Sequence, residues 1–153
     1  MRKLAKAMAV SAVLLWASGA AAIDLDGTLW EGTFRCKGVN GDGNKSILEN
    51  DEVTLSISQT GPDAVATFDF GGGPTPYDAS VVADADMPET RGALGFVHPE
   101  TDNDAAPFDE VVWGKVSYDD ETGKGTFKGT GTRILNGGGF DTCKWRFKAV
   151  PLF

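Results

Sequence analysis

Residues Phe140 to Val150 alternate strictly between two kinds of side chain, and this alternation most constrains how the chain can fold. One side carries Cys143, Trp145, Phe147 and Ala149, and the other carries Lys144, Arg146 and Lys148. A period of two residues is typical of a β-strand with one buried face. The segment therefore predicts a half-buried strand near the C-terminus.

Residues 29–37 alternate in the same way, and one antiparallel register joins the two segments. With Cys36 placed opposite Cys143, the facing pairs are Phe34 with Trp145, Gly32 with Phe147, Trp30 with Ala149 and Glu31 with Lys148. Two inner pairs match a large side chain with a small one, and the outer pair joins opposite charges. Facing cysteines lie within reach of a disulfide. We therefore expect the first and last strands to pair, with a Cys36–Cys143 disulfide.

The rest of the chain alternates in short segments between turn residues, and no stretch is typical of a helix. Further strands are predicted at 53–59, 64–70, 79–85, 93–98, 110–118 and 124–134, with 71–76 breaking the chain. This regular spacing favours an all-β fold, an antiparallel up-and-down barrel of about eight strands closed by first-to-last pairing. A β-sandwich is the alternative.

The predicted architecture resembles that of small exported barrels such as lipocalins and avidins. The likeness lies in a Trp-containing first strand, the number of strands and the size of the domain. The lipocalin opening motif Gly-x-Trp is absent, because Gly27-Thr28-Leu29-Trp30 has one residue too many. The Trp positions of avidin-type biotin sites are not convincingly present either. The resemblance concerns the pattern alone and assigns neither a family nor a function.

The first 22 residues have the organisation of a secretory signal peptide. A basic head over 1–6 precedes an apolar run over 7–17, and Ala20-Ala21-Ala22 fits a cleavage site. The apolar run is too short for a membrane helix. We expect cleavage after Ala22, which leaves residues 23–153 as a single β-barrel domain, periplasmic or secreted.

Removal of the leader makes the expected mature protein strongly acidic. The leader holds three of the fourteen Lys and Arg residues and none of the twenty-two Asp and Glu residues, so the mature net charge is −11 at pH 7. This charge disfavours nucleic acid and anionic membranes and favours a cationic protein partner, a metal cation or simple solubility.

An outer-membrane barrel is disfavoured by the strand predicted at 124–134. Its polar face consists of Thr126, Lys128, Thr130 and Thr132. A lipid-facing surface needs apolar residues at every second position. We expect a monomer that does not insert into a membrane.

The sequence contains no recognisable catalytic motif. Gly-x-Ser-x-Gly and His-Glu-x-x-His are absent, and the expected disulfide leaves no thiol nucleophile. His98, the single histidine, is interpreted as a surface residue that ends a strand, because nothing nearby forms a nucleophile–base pair. The alternative is a general base or metal ligand beside Asp102 and Asp104. We expect a non-catalytic protein.

Two oxygen-rich loops are weak candidates for calcium, and no other cofactor is expected. Asp42 and Asn44 have the spacing of the start of an EF-hand loop. Lys45 replaces the sharp-turn glycine and no helices flank the segment, which favours a plain loop between strands. Asp102 and Asp104 lie in the acidic connection 99–109. A calcium-stabilised envelope protein is accordingly one of the function classes considered.

Aromatic residues on the predicted inward faces carry the main functional prediction. Most belong to the core, and those near an open barrel end would line an apolar pocket. The pocket candidates are Trp30, Phe34, Phe68, Phe96, Phe127, Trp145 and Phe147. We expect an exported binding protein for a small apolar or amphipathic ligand. The alternative is an acidic interaction module or an inhibitor of a cationic exported protein, for which the outward-facing Val111 and Trp113 are a candidate surface.

Overall fold

The structure, a computed structural model, describes residues 23–98, 108–135 and 138–151. These residues form eight antiparallel strands and no helix, so none of them belongs to a helix that could cross a bilayer. The strands are β1 (Leu29–Val39), β2 (Lys45–Thr60), β3 (Asp63–Asp69), β4 (Pro74–Ala83), β5 (Arg91–His98), β6 (Phe108–Asp119), β7 (Lys124–Leu135) and β8 (Phe140–Val150). Each strand pairs with its sequence neighbours and β1 pairs with β8, which closes the barrel. The predicted up-and-down barrel is therefore confirmed, and the sandwich alternative is wrong.

The register between β1 and β8 is the one that the two alternating segments predict. Cys36 faces Cys143 and the two form a disulfide, with an S–S distance of 2.00 Å and Cα atoms 4.0 Å apart. Phe34 stacks on Trp145 with ring centroids 4.9 Å apart. A Cβ atom on Gly32 would lie 2.6 Å from the Phe147 ring, so glycine is needed opposite this large side chain.

Strand β2 is longer than predicted and contains a register shift. It begins at Lys45, eight residues before the predicted start, and its pairing with β1 is irregular between Gly32 and Phe34. An extra residue in one strand reverses which side chains face inward. Odd-numbered residues such as Val53 therefore face inward after the shift, whereas even-numbered residues such as Asn50 face inward before it. Because the alternation is not continuous, the first half of the strand was not predicted.

Strand β4 begins at Pro74, within the segment that we expected to break the chain, and ends at Ala83. Proline is tolerated at the first position of a strand, and its fixed φ lies in the extended region. Tyr77 is therefore a strand residue, and it is buried inside the barrel with 1% of its surface exposed.

The middle of the barrel is filled with aromatic side chains. Phe68 lies at the centre, fully buried, with its ring centroid within 6 Å of those of Phe70, Tyr77, Phe96, Trp145 and Phe147. Such burial supplies most of the driving force for folding. The centre of the barrel is therefore packed with protein side chains.

The end of the barrel that holds the β2–β3, β4–β5 and β6–β7 turns is closed by residues 23–28. Ile23 and Leu25 are fully buried there. Gln59 fixes the segment, because its side chain accepts a hydrogen bond from the Leu25 amide at 2.9 Å and donates one to the Ile23 carbonyl at 3.2 Å. The described residues include no comparable buried segment at the opposite end, which we call the open end.

Candidate functional site

Four ionisable side chains form one inward-facing row next to the open end. His98, Glu110, Arg133 and Asp141 lie directly opposite one another on β5, β6, β7 and β8. We call these four residues the polar row. Glu110 and His98 are each 3% exposed and Asp141 is fully buried. Buried ionisable groups are uncommon and cost stability unless they are paired.

The polar row is held together by direct contacts. An Arg133 guanidinium nitrogen lies 2.5 Å from a carboxylate oxygen of Asp141, and the two side chains are 12% and 1% exposed. The Tyr77 hydroxyl donates a hydrogen bond to Oε2 of Glu110 at 2.9 Å. The His98 ring packs on the Tyr77 ring with centroids 4.8 Å apart. Basic and acidic side chains thus alternate around this end of the barrel.

Burial raises the pKa of the Glu110 carboxyl from 4.5 to about 7. The hydrogen bond from Tyr77 and the positive charge of Arg133 oppose this shift, and the Asp141 carboxylate adds to it. The Trp145 indole N–H also favours the charged form of the carboxyl, although it lies outside the geometry of a normal hydrogen bond. Glu110 is therefore poised between its neutral and charged forms near neutral pH.

A cavity of about 300 Å³ lies beside the polar row. Its lining consists of Phe34, Leu48, Glu49, Asn50, Phe70, Tyr77, Glu110, Arg133 and Trp145. Glu49 is exposed and Leu48 is 39% exposed, so the cavity reaches the surface there. The register shift in β2 places Leu48 opposite Cys36 and Asn50 opposite Phe34, which turns both toward the interior. The volume is at the lower limit for small-molecule sites.

Oε1 of Glu110 and Nε1 of Trp145 are buried polar atoms of the cavity lining that have no hydrogen-bond partner among the described residues. The two residues are 3% and 1% exposed. The first accepts a hydrogen bond when ionised and the second donates one. Leaving such atoms unpaired costs about 1–3 kcal/mol each. A ligand or water that reaches both atoms would recover this cost.

The structure divides the seven predicted pocket residues into two groups. Phe34 and Trp145 line the cavity at the open end. The others lie in the packed core and do not line this cavity: Trp30, Phe68, Phe96, Phe127 and Phe147. Trp30 belongs to the closed end of the barrel, where its indole N–H donates a hydrogen bond to the Thr28 hydroxyl at 2.8 Å.

The favoured interpretation of His98 as a surface residue is wrong, because its side chain is buried against Tyr77. The alternation of β5, with Leu94 and Phe96 facing inward, places His98 on the same inner face. Asp102 and Asp104 lie outside the described residues.

The predicted calcium loop is a tight turn between β1 and β2. The Asn40 side chain accepts hydrogen bonds from the amides of Asp42 at 3.1 Å and Asn44 at 2.9 Å. Asparagine commonly stabilises turns in this way. The side-chain oxygen of Asn40 is therefore already used within the loop.

One further group of potential metal ligands lies beneath the cavity. The sulfurs of Cys36 and Cys143 and a carboxylate oxygen of Glu110 lie within 4.8 Å of one another. The two sulfurs are joined in the disulfide, and metal binding by cysteine requires the thiolate. The oxidised protein therefore has no thiolate ligand here.

The predicted site residues include none of Tyr77, Glu110, Arg133 and Asp141. The signal was present for the last three, because each lies two residues from an inward-facing residue of a predicted strand: Val112, Gly131 and Cys143. A carboxylate or guanidinium at an inward position of a barrel strand indicates a buried polar site. Tyr77 was not expected to be a strand residue, because the predicted strand begins at residue 79, two residues after Tyr77.

The fold and the site together define a class of protein: a disulfide-closed, eight-stranded antiparallel barrel with a filled centre and a small, partly polar cavity at one end. Comparisons with protein-family models, with curated proteins and with solved structures give no match for this chain. Its function is therefore inferred from geometry and charge.

The raised pKa of Glu110 predicts how stability depends on pH. The folded state binds this proton below about pH 7, whereas the unfolded state releases it above about pH 4.5. Stability from this group is therefore complete below pH 4.5 and falls as the pH rises to 7, by about 3 kcal/mol in all.

Urea unfolding at pH 5, 6, 7 and 8 tests this expectation, with Glu110→Gln as the matched control of the same size. The difference in unfolding free energy between the two proteins should shift in favour of the variant as the pH rises. Parallel pH profiles would show that Glu110 titrates normally in the folded protein.

Proposed function

We propose that this protein is an exported, non-catalytic binding protein for a small amphipathic ligand, which it holds in the open-end cavity. The observation that carries the proposal is that Oε1 of Glu110 and Nε1 of Trp145, both buried in the cavity lining, have no hydrogen-bond partner within the part of the chain that the structure describes. An amphipathic ligand suits the lining because Phe34 and Phe70 provide apolar walls beside these polar atoms.

The two atoms specify the polar head of the ligand. Ionised Glu110 needs a hydrogen-bond donor, and the Trp145 indole needs an acceptor. A neutral head that offers both, such as a hydroxyl or a primary amide, pairs with both atoms. The buried disulfide beneath the site supports export, because it is compatible with an oxidising compartment.

The contacts of the titratable groups support a non-catalytic role. Glu110 accepts from Tyr77, Arg133 pairs with Asp141, and His98 packs against Tyr77. Among the described residues that line the cavity, none is a serine, threonine, cysteine or lysine next to a base. The site therefore offers polar anchoring without a nucleophile of these types.

Two isomers of the same size test the proposal. 1-Hexanol has a donor and an acceptor at its head, whereas 1-methoxypentane has only an acceptor. Titrated into ¹⁵N-labelled protein at pH 8, 1-hexanol should shift the Trp145 indole resonance. We expect 1-methoxypentane to bind about tenfold more weakly, because Oε1 of Glu110 stays unpaired.

Trp30 is the internal control, because its indole is hydrogen-bonded to Thr28 at the closed end and should not shift. Glu110→Leu should remove the discrimination between the isomers. The proposal fails if neither compound moves the Trp145 resonance at millimolar concentration, or if Trp30 and Trp145 respond alike.

A further inference from the structure

The outer surface of the barrel has one face that is entirely free of carboxylates. It consists of the outward-facing positions of β7, β8 and residues 111–117 of β6, and we call it the basic face. Its cations are Lys115, Lys124, Lys128, Lys144, Arg146 and Lys148. Acidic residues on these strands occur only at their ends or inside the barrel, as at Asp109, Asp119 and Asp141.

Like charges lie directly opposite each other on the basic face. Lys128 faces Lys115 on one side and Arg146 on the other, so three cations form an unbroken row across three strands. Directly opposed like charges destabilise antiparallel pairs. A chain with twenty-two acidic residues and fourteen basic ones has ample carboxylates for such positions. This arrangement costs stability, which suggests that a partner uses it.

Carboxylates border the basic face on several sides. Glu49 and Asp51 of β2 line a surface hollow together with Lys144 and Arg146. The exposed Asp109 faces Ile134, in the same row as Phe140. Arg35, which faces Lys144, forms an ion pair with Glu49, and Glu31 faces Lys148. Asp84 interacts electrostatically with Lys115 from the far side of β5. No described carboxylate forms an ion pair with Lys128, Lys144 or Arg146, which leaves the centre of the face available to an anionic partner.

Exposed apolar side chains adjoin the cations toward the open end. Trp113 is 68% exposed and Val111 52%, and both lie on the outer face of β6. Ile134 and Phe140, which face each other on β7 and β8, are 57% and 56% exposed. Clustered exposed apolar residues mark interaction surfaces. The partner must therefore offer negative charge and apolar surface side by side.

We propose that the basic face docks this protein peripherally on an anionic lipid surface. In this arrangement Lys128, Lys144 and Arg146 lie over the lipid phosphates. Trp113 enters the interfacial region, where amphipathic indole rings are favoured, and Phe140 meets the acyl boundary. A soluble polyanion would neutralise the cations but leave the apolar border facing water, which favours the lipid surface.

Screening weakens the repulsion between the strongly negative net charge and an anionic surface. Attraction to a membrane falls off within a Debye length, about 8 Å at physiological ionic strength. The cations on β6–β8 would contact the surface, whereas carboxylates such as Asp63 and Asp78 lie on β3 and β4. The local charge of the face therefore governs binding more than the total charge of the chain.

Vesicle flotation tests this inference with the protein purified from an exporting host. The probes are vesicles of phosphatidylcholine alone and of phosphatidylcholine with 40 mol% phosphatidylglycerol. We expect binding only to the anionic vesicles and loss of binding in 0.5 M NaCl. The triple variant Lys128→Gln/Lys144→Gln/Arg146→Gln should bind about 100-fold more weakly, since each cation near a lipid surface contributes about fivefold.

Single variants separate the face from the rest of the surface. Arg146→Gln should weaken binding about fivefold. Ser80→Glu, which changes the net charge by the same amount at an exposed position of β4 on the opposite side of the barrel, should have no effect. Trp113→Ser should weaken binding at each salt concentration that supports binding of the wild-type protein, without changing the salt dependence. Circular dichroism verifies that each variant is folded.

Each of the following vesicle results would overturn the inference: equal binding to both vesicle types, no binding to anionic vesicles at low salt, or equal losses for Arg146→Gln and Ser80→Glu. Heparin retention that depends on Lys128, without vesicle flotation, would also overturn it, because the partner would then be a soluble polyanion.

Discussion

Replacing Cys143 with serine is expected to lower the free energy of unfolding by about 2–5 kcal/mol. The Cys36–Cys143 bond links residues 107 apart and joins the two strands whose pairing closes the barrel. Cross-linking distant residues restricts the unfolded chain, and a loop of about 100 residues contributes about 4–5 kcal/mol in the chain-entropy model. Urea unfolding of the purified variant measures the loss.

Two controls separate the bond from the packing of the cysteines. Both residues are fully buried, so a serine hydroxyl adds a cost of its own. The double variant Cys36→Ala/Cys143→Ala avoids that cost and should still lose most of the stability. Reduced wild-type protein should match the double variant. Unchanged stability in all three proteins would show that strand closure does not depend on the disulfide.

Replacing Arg133 with methionine is expected to destabilise the barrel by about 3–5 kcal/mol. Arg133 pairs with the fully buried Asp141, and the substitution leaves that carboxylate without its cation. An isolated buried charge is far more costly than a buried pair. Urea unfolding at pH 7 measures the effect.

The double variant Arg133→Met/Asp141→Leu provides the contrast. Replacement of both members of a buried ion pair by apolar residues is often neutral or even stabilising. We therefore expect the double variant to recover most of the stability that Arg133→Met loses. Additive losses from the two substitutions would mean that Asp141 is not paired with Arg133 in the folded protein.

The closure of the barrel was predictable because it depends on local alternation and one pair of cysteines. The segments around Cys36 and Cys143 admit a register that satisfies packing, charge and the disulfide together, and the structure has that register. The first half of β2 was not predictable in this way. A register shift near Phe34 reverses the alternation, so Leu48 and Asn50 follow a different phase from Val53.

The site was less accessible to prediction than the fold. Phe34 and Trp145 were expected in a pocket and line the cavity. Glu110 and Arg133 were not expected there, because a charged residue on a strand is ordinarily assigned to solvent. Their inward orientation becomes significant only when several strands each place one such residue at the same level of the barrel.

The alternation of side chains in the sequence specifies the all-β class, the pairing of the first strand with the last, the disulfide and the aromatic core. Each of these depends on residues close in sequence or on one pairing between two segments. Three features depend on the pairing of several strands: the polar row, the cavity beside it and the basic face. They exist because pairing brings residues from three or more strands to the same level, inside for Glu110 and outside for Lys128. Net charge and single-strand patterns do not contain that information, since they describe each residue without its neighbours across the sheet.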